Sequence, residues 1–297
     1  MSEIIECIKR EKILISDGAI GTLILNKYLK AGECPELINL NNPSILENIA
    51  LSYLEAGAEM IQTNTFGASR YRLINYSLEN KIEEINRSAI KAVKRVIGNK
   101  AYIIASCGPS GRLLKPYGDV DTQQIRDNFK EQMSILLEEG IDAICIETMT
   151  DINETRLAIE AAKSLTDKIP IIATMTFDYT PKGFYTVMGC SIKEAALAMQ
   201  ESGADIIGSN CGNGIDNMIK IANEFKNNSS LPIIIQSNAG LPSIRNGEIL
   251  YPETPEYMAE KATNLAKISI SIIGGCCGTT PTHIKAIRDK IKPLQQI

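Results

Sequence analysis

The stretch Glu201-Ser202-Gly203-Ala204-Asp205-Ile206-Ile207-Gly208-Ser209-Asn210-Cys211-Gly212 holds the repeating unit of this chain. A helix running into Glu201-Ser202 meets Gly203, the residue type that ends helices in the left-handed region. The apolar run that follows reads as a buried strand. It stops at a chemically interesting pair, Asn210-Cys211, and another glycine. The same helix exit recurs as Glu55-Ala56-Gly57-Ala58 and as Glu138-Glu139-Gly140-Ile141-Asp142-Ala143. A chain that repeats helix, glycine and buried strand builds parallel β-structure joined by helices.

Extended outward, this reading predicts strands at Ile13–Ser16, Met60–Thr63, Tyr102–Ser106, Ala143–Glu147, Ile171–Thr176, Asp205–Ser209, Ile233–Ser237 and Ser269–Gly274. Helices fill the intervals at Ser44–Ala56, Leu78–Ile97, Thr122–Glu139, Asn153–Ser164, Ile192–Ser202, Ile215–Phe225, Pro255–Ala266 and Thr282–Ile291. Eight strand–helix units close a parallel barrel, so the expected fold is α/β, a single (β/α)8 TIM-type barrel over residues 1–297. The competing architecture is an open doubly wound sheet. It is disfavoured because no Gly-x-Gly-x-x-Gly turn follows the first strand.

Composition agrees with one large core, at 44% hydrophobic and 22% charged residues. The net charge is −4 and no dense Lys/Arg tract occurs, which gives no case for nucleic acid or an anionic membrane. No apolar run reaches the ~20 residues that span a bilayer. The N-terminus lacks an export pattern, and the eight cysteines then suggest a reducing, cytoplasmic setting. The single histidine, His283, removes histidine-rich metal sites and histidine-based triads by supply alone, and its place in the final helix reads as structural.

In such barrels reactive groups gather at the C-terminal ends of strands. Asp17-Gly18-Ala19 follows strand one, Asn64-Thr65-Phe66-Gly67 strand two and Cys107-Gly108-Pro109-Ser110-Gly111 strand three. Glu147-Thr148 ends strand four, Asn210-Cys211-Gly212 follows strand six, Asn238-Ala239-Gly240 strand seven and Cys276-Cys277 strand eight.

The vicinal cysteines are the sharpest signal. Consecutive Cα atoms lie about 3.8 Å apart, short of the usual disulfide range. Consecutive strand residues also point to opposite faces. Both sulfurs can bind one object only if the backbone leaves β geometry, which Gly274, Gly275 and Gly278 permit. Cys211 opens onto the same barrel mouth. Three thiolates with one open position match a catalytic zinc site. All-sulfur ligation selects zinc or an iron–sulfur cluster over magnesium or calcium, and adjacent ligands suit a cluster poorly. Such an anionic centre polarises carbonyls weakly, yet it deprotonates a substrate thiol and keeps it electron-rich. The chemistry expected is alkyl transfer to a thiol rather than hydrolysis. Cys7, Cys34, Cys107, Cys145 and Cys190 read as inert small apolar residues.

Asp17-Gly18-Ala19-Ile20-Gly21-Thr22, Asn64-Thr65-Phe66-Gly67-Ala68, Asn210-Cys211-Gly212, Asn238-Ala239-Gly240-Leu241-Pro242 and Gly274-Gly275-Cys276-Cys277-Gly278-Thr279-Thr280-Pro281 together resemble the homocysteine S-methyltransferase family. The likeness spans about residues 11 to 291 and is nearest the homocysteine-binding module of the cobalamin-dependent methionine synthase branch. It implies Zn²⁺ on Cys211, Cys276 and Cys277, with Asn238 matching a fourth ligand in the absence of substrate. It also implies that homocysteine is the thiol, with Asp17 and Glu147 gripping its amino group. Gly18 and Ala19, or the Gly108-Pro109-Ser110 turn, are expected to offer N–H groups to its carboxylate, and Asn64 and Asn210 complete the substrate-binding set. The implied donor is methylcobalamin on a separate corrinoid protein, because the chain leaves no room for a donor module. S-methylmethionine, betaine or a non-catalytic homocysteine-binding subunit are the alternatives.

Overall fold

The computed structural model describes residues 2–10, 12–30, 32–245 and 248–295. Its centre is a parallel sheet of eight strands: β1 (Leu14–Ile15), β2 (Met60–Gln62), β3 (Tyr102–Cys107), β4 (Ala143–Met149), β5 (Ile171–Met175), β6 (Ile206–Asn210), β7 (Ile233–Ser237) and β8 (Ile272–Gly275). Every neighbouring pair is parallel, from β2 through β8 and round to β1. A bridge between Ser16 and Met60 joins β1 to β2 and closes the ring.

A principal helix follows each strand: α1 (Pro43–Glu55), α2 (Ile82–Ile97), α3 (Thr122–Glu138), α4 (Ile152–Leu165), α5 (Ile192–Glu201), α6 (Ile215–Asn228), α7 (Pro255–Lys267) and α8 (Pro281–Ile291), with the shorter helices Gly21–Lys27, Ile38–Asn41 and Arg70–Leu73 in the first two connections. Their apolar residues recur at helical spacing, as in α2, where Ile82, Ile85, Ala89, Ile90, Val93 and Ile97 are buried. Capping boxes at Asp121/Gln124 and Ser191/Glu194 start α3 and α5. None of the described helices is long and apolar enough to cross a membrane.

The predicted strand–helix alternation holds, with shifts at the ends. β8 begins at Ile272 rather than Ser269, because Ser269 takes a left-handed φ of 57° in the turn leaving α7. α2 begins at Ile82 because Glu79–Lys81 form a 3-10 turn. Two antiparallel hairpins, Asp178–Thr180 with Gly183–Tyr185 and Ser243–Arg245 with Glu248–Leu250, decorate the loops after β5 and β7. A short helix, Glu3–Lys9, precedes β1.

The barrel interior is built in tiers because alternate strand residues face inward. Leu14, Met60, Ile104, Cys145, Ile172, Ile206, Ile234 and Ile272 form an apolar floor, packed with Ile4 of the N-terminal helix. Two residues further along the same strands stand Ser16, Gln62, Ser106, Glu147, Thr174, Gly208, Gln236 and Gly274. The switch from apolar to polar within one strand step positions the site.

Candidate metal centre and substrate pocket

Cys211 follows β6 in a left-handed conformation, φ 60°, and Gly212 continues it at φ 73°. That turn swings the thiol toward β8 while its N–H stays bonded to the Gln236 carbonyl at 3.1 Å. Beyond β8, the Cys276 N–H bonds the Ser237 carbonyl at 2.7 Å and the Ala239 N–H bonds the Cys277 carbonyl at 2.9 Å. The vicinal pair is therefore pinned to β7 as it leaves the sheet. Thr279 Oγ1 also donates to the Cys276 carbonyl at 2.7 Å. A Cβ on Gly275 would stand 2.3 Å from that hydroxyl oxygen.

All three sulfurs lie within 4.8 Å of one another, and Cys211 Sγ is 3.7 Å from Cys277 Sγ. Tetrahedral zinc with Zn–S bonds of about 2.3 Å sets its sulfurs roughly 3.8 Å apart, so the donors are spaced for that ion. The side chain of Asn238 stands against Cys211. Its Oδ1 is buried and unpartnered, a free lone pair beside the sulfurs. The triad is consistent with a zinc site.

As thiols, the three share protons. Hydrogen bonds with Cys276 and Cys277 push Cys211 below the usual thiol range. Donating to Cys211 raises both partners, Cys277 to about 11. Burial and the negative charges of Cys277 and Cys211 push the neighbouring Tyr251 phenol up to about 12. Its ring fills the space over Gly278, where φ is 80° and a Cβ would lie 2.1 Å from a ring carbon. Gly278→Ala is therefore expected to displace either Tyr251 or the Cys276-Cys277 turn. Thermal unfolding should show a loss of about 1–3 kcal/mol, and zinc should be released at lower chelator concentration than from wild type.

A cavity of about 340 Å³ opens at this end of the barrel. Cys211, Cys276 and Cys277 form one side, and Gly18, Ala19, Asn64 and Glu147 also line it. Glu147 accepts from the Ser106 hydroxyl and, at 3.2 Å, from Asn210 Nδ2. Burial raises its carboxyl to about 7, against the lowering effect of Ser106. Asp17 stands behind the cavity wall, wholly buried and outside its lining, with Oδ2 accepting the N–H of the lining residue Gln62 at 2.8 Å. Burial pushes it up to about 8; the Gln62 N–H opposes this and the Glu147 charge adds to it.

The remaining expected site residues sort by what their polar atoms already hold. Asn64 donates to the Pro35 carbonyl at 3.0 Å and to Asn39 Oδ1 at 2.8 Å. Asn210 bonds Glu147, Thr148 and Thr174 and lies 3.9 Å from Cys276 Sγ, so its amide braces the wall. The Ala19 N–H is taken by Thr279 Oγ1 at 3.2 Å, the Gly108 N–H by the Phe66 carbonyl and the Ser110 N–H by Glu154. His283 caps α8: Nδ1 pairs with Thr280 and Nε2 bonds the Glu253 carbonyl at 3.0 Å. Burial lowers its pKa, which keeps the ring neutral in that structural role. Cys34, Cys107, Cys145 and Cys190 are buried and apart from the triad, and burial raises each thiol. Gln62, Ser106 and Gln236 line the cavity, and Ser16 and Tyr251 stand beside Asp17 and the cysteines; the sequence reading singled out none of these five.

The model of the family described as homocysteine S-methyltransferase matches residues 14–291. The chain belongs to the homocysteine S-methyltransferase family. It is 31% identical to methionine synthase of Mycobacterium tuberculosis over 303 residues, covering 96% of this chain and 25% of that protein. It is 30% identical to methionine synthase of Mycobacterium leprae over 294 residues, covering 93% and 24%. The chain thus spans about a quarter of the length of these curated relatives. Among solved structures it resembles the homocysteine methyltransferase MmuM from Escherichia coli in its metallated form, with TM-score 0.79, 16% identity, and 97% and 100% of the two chains covered. At that identity the likeness concerns the fold, a TIM-type barrel.

Proposed function

We propose that residues 1–297 form one homocysteine-binding barrel that transfers a methyl group to homocysteine, giving methionine, with a methyl-corrinoid protein as donor. The carrying observation is the convergence of three cysteine sulfurs within 4.8 Å at a strand-end cavity that also presents the Glu147 carboxyl. Cys211, Cys276 and Cys277 would hold Zn²⁺, with Asn238 the nearest candidate for a fourth donor before substrate arrives. Bound there, Zn²⁺ supplies the acidity that keeps a substrate thiol deprotonated near neutral pH.

The chain's own groups do the rest. Glu147 and Asp17 offer negative charge to the substrate ammonium, and each needs that partner because burial otherwise favours its neutral form. The polar tier above the apolar floor, where Gln62, Ser106, Glu147 and Gln236 line the cavity, sets how deep the substrate sits. The homocysteine sulfur forms a new bond to the methyl carbon as the methyl–donor bond breaks, and the electron pair leaves with the donor. No histidine base is required, in keeping with the structural role of His283. Three free thiols at an open mouth suit a reducing compartment such as the cytoplasm.

The test pairs metal analysis with a donor screen. After reductive purification the protein should carry about one zinc per chain. It should form methionine from homocysteine and a methylated corrinoid protein. Rapid turnover with S-methylmethionine or betaine alone would replace the donor assignment. Homocysteine binding without turnover on any donor, free methylcobalamin included, would make the chain a binding subunit.

A further inference from the structure

The cavity wall carries a buried acceptor that the reading above leaves unused. Gln236 lines the cavity with Glu147 and Cys276. It is only 2% exposed, and its Oε1 has no hydrogen-bond partner. It belongs to the polar tier: Ile234, two residues earlier, is part of the apolar floor, so the Gln236 side chain also projects into the barrel. On the neighbouring strands its register partners are Asn210 and Gly274, next to the strand ends that carry Cys211 and Cys276. A buried carbonyl oxygen without a donor lowers stability, so such an atom is explained best by a donor that arrives with a ligand.

The orientation of this amide follows from its other end. Gln236 Nε2 donates to Ser16 Oγ at 3.2 Å, and Ser16 Oγ donates to Asp17 Oδ1 at 3.3 Å. Once Asp17 is ionised, as binding an ammonium demands, Ser16 must donate to it. Only an N–H of Gln236 can then donate to Ser16, which leaves Oε1 as the unpartnered end of an amide that lines the cavity. We infer that Gln236 Oε1 is the third acceptor for the substrate ammonium, alongside Asp17 and Glu147, and that Gln236 selects thiols bearing an amino group. This rests on the functional reading above. An ammonium brings three N–H donors, and a neutral third acceptor fits because a third carboxylate would add repulsion to two that already disfavour each other's charge.

The test compares two thiols on the zinc-loaded full chain by calorimetry: homocysteine and 4-mercaptobutanoate, which lacks only the amino group. Gln236→Met keeps the length and removes the acceptor. It should weaken homocysteine about tenfold or more while leaving 4-mercaptobutanoate within about twofold and zinc content unchanged. Equal weakening of both thiols, or homocysteine affinity within about twofold of wild type, overturns the inference. Should Q236M fail to yield folded, zinc-loaded protein, Ser16→Ala asks the same question by freeing the amide to turn. It should show the same selective loss, and an unselective loss or none overturns the inference equally. Wild-type protein that binds neither thiol sinks the functional reading and this inference with it. Wild-type binding of both thiols, with an unselective variant, sinks only the role of Gln236.

Discussion

Cys276→Ser is expected to take zinc from about one ion per chain to none and to abolish methionine formation. Of the three proposed ligands, Cys276 is held at both main-chain ends, its N–H donating to the Ser237 carbonyl and its own carbonyl accepting from Thr279. A serine oxygen there cannot follow a displaced ion, and a neutral hydroxyl is a poor donor beside two thiolates. The fold itself should survive, because the main-chain bonds that pin the turn do not involve the sulfur. Metal analysis and circular dichroism on the same sample check both halves. Full zinc occupancy in C276S would remove Cys276 from the ligand set.

Asp17→Asn should have two opposed effects. Homocysteine affinity should fall roughly 100-fold, because a buried ammonium loses a charged partner. The ligand-free, metal-free protein should instead gain stability. Asp17 titrates near 3.8 when unfolded and at about 8 when folded, so the folded chain holds the extra proton between those values. A raised carboxyl of this kind contributes stability that is complete at low pH and is lost as pH rises through about 8. Across that window the variant should pull ahead of wild type by up to about 1.4 kcal/mol per pH unit. Urea unfolding of both proteins from pH 5 to 8 measures the difference, in which the titrations of the cysteines largely cancel. A difference that does not change with pH would show that Asp17 is not held protonated.

Much of the architecture was legible because the barrel repeats a local signal. Gly57, Gly140 and Gly203 all take positive φ where their helices end, as the shared exit phrase implied. The paired strands Asp178–Thr180 with Gly183–Tyr185 and Ser243–Arg245 with Glu248–Leu250 were missed, since segments this short depend on what the rim offers rather than on periodicity. The cysteines were legible because strand-end position is itself a spatial coordinate in a closed barrel. Gln236 and Ser16 were not, because an amide inside a β-branched run says nothing of whether its oxygen will find a donor. That fact exists only once β1 and β7 are placed across the same interior. Nor does the sequence reveal that three of the expected carboxylate donors, Ala19, Gly108 and Ser110, give their N–H groups to partners far along the chain.

The apolar floor, packed beneath by Ile4, closes the barrel at the end away from the cysteines. On the proposed function, homocysteine, methionine and the methyl donor would all pass through the mouth at the strand ends. A bulky donor seated at that threshold would block traffic behind it, so the amino acid would enter first and leave last. The order of events in the proposed cycle would then be set by an apolar plug at the opposite end of the barrel from the cysteines.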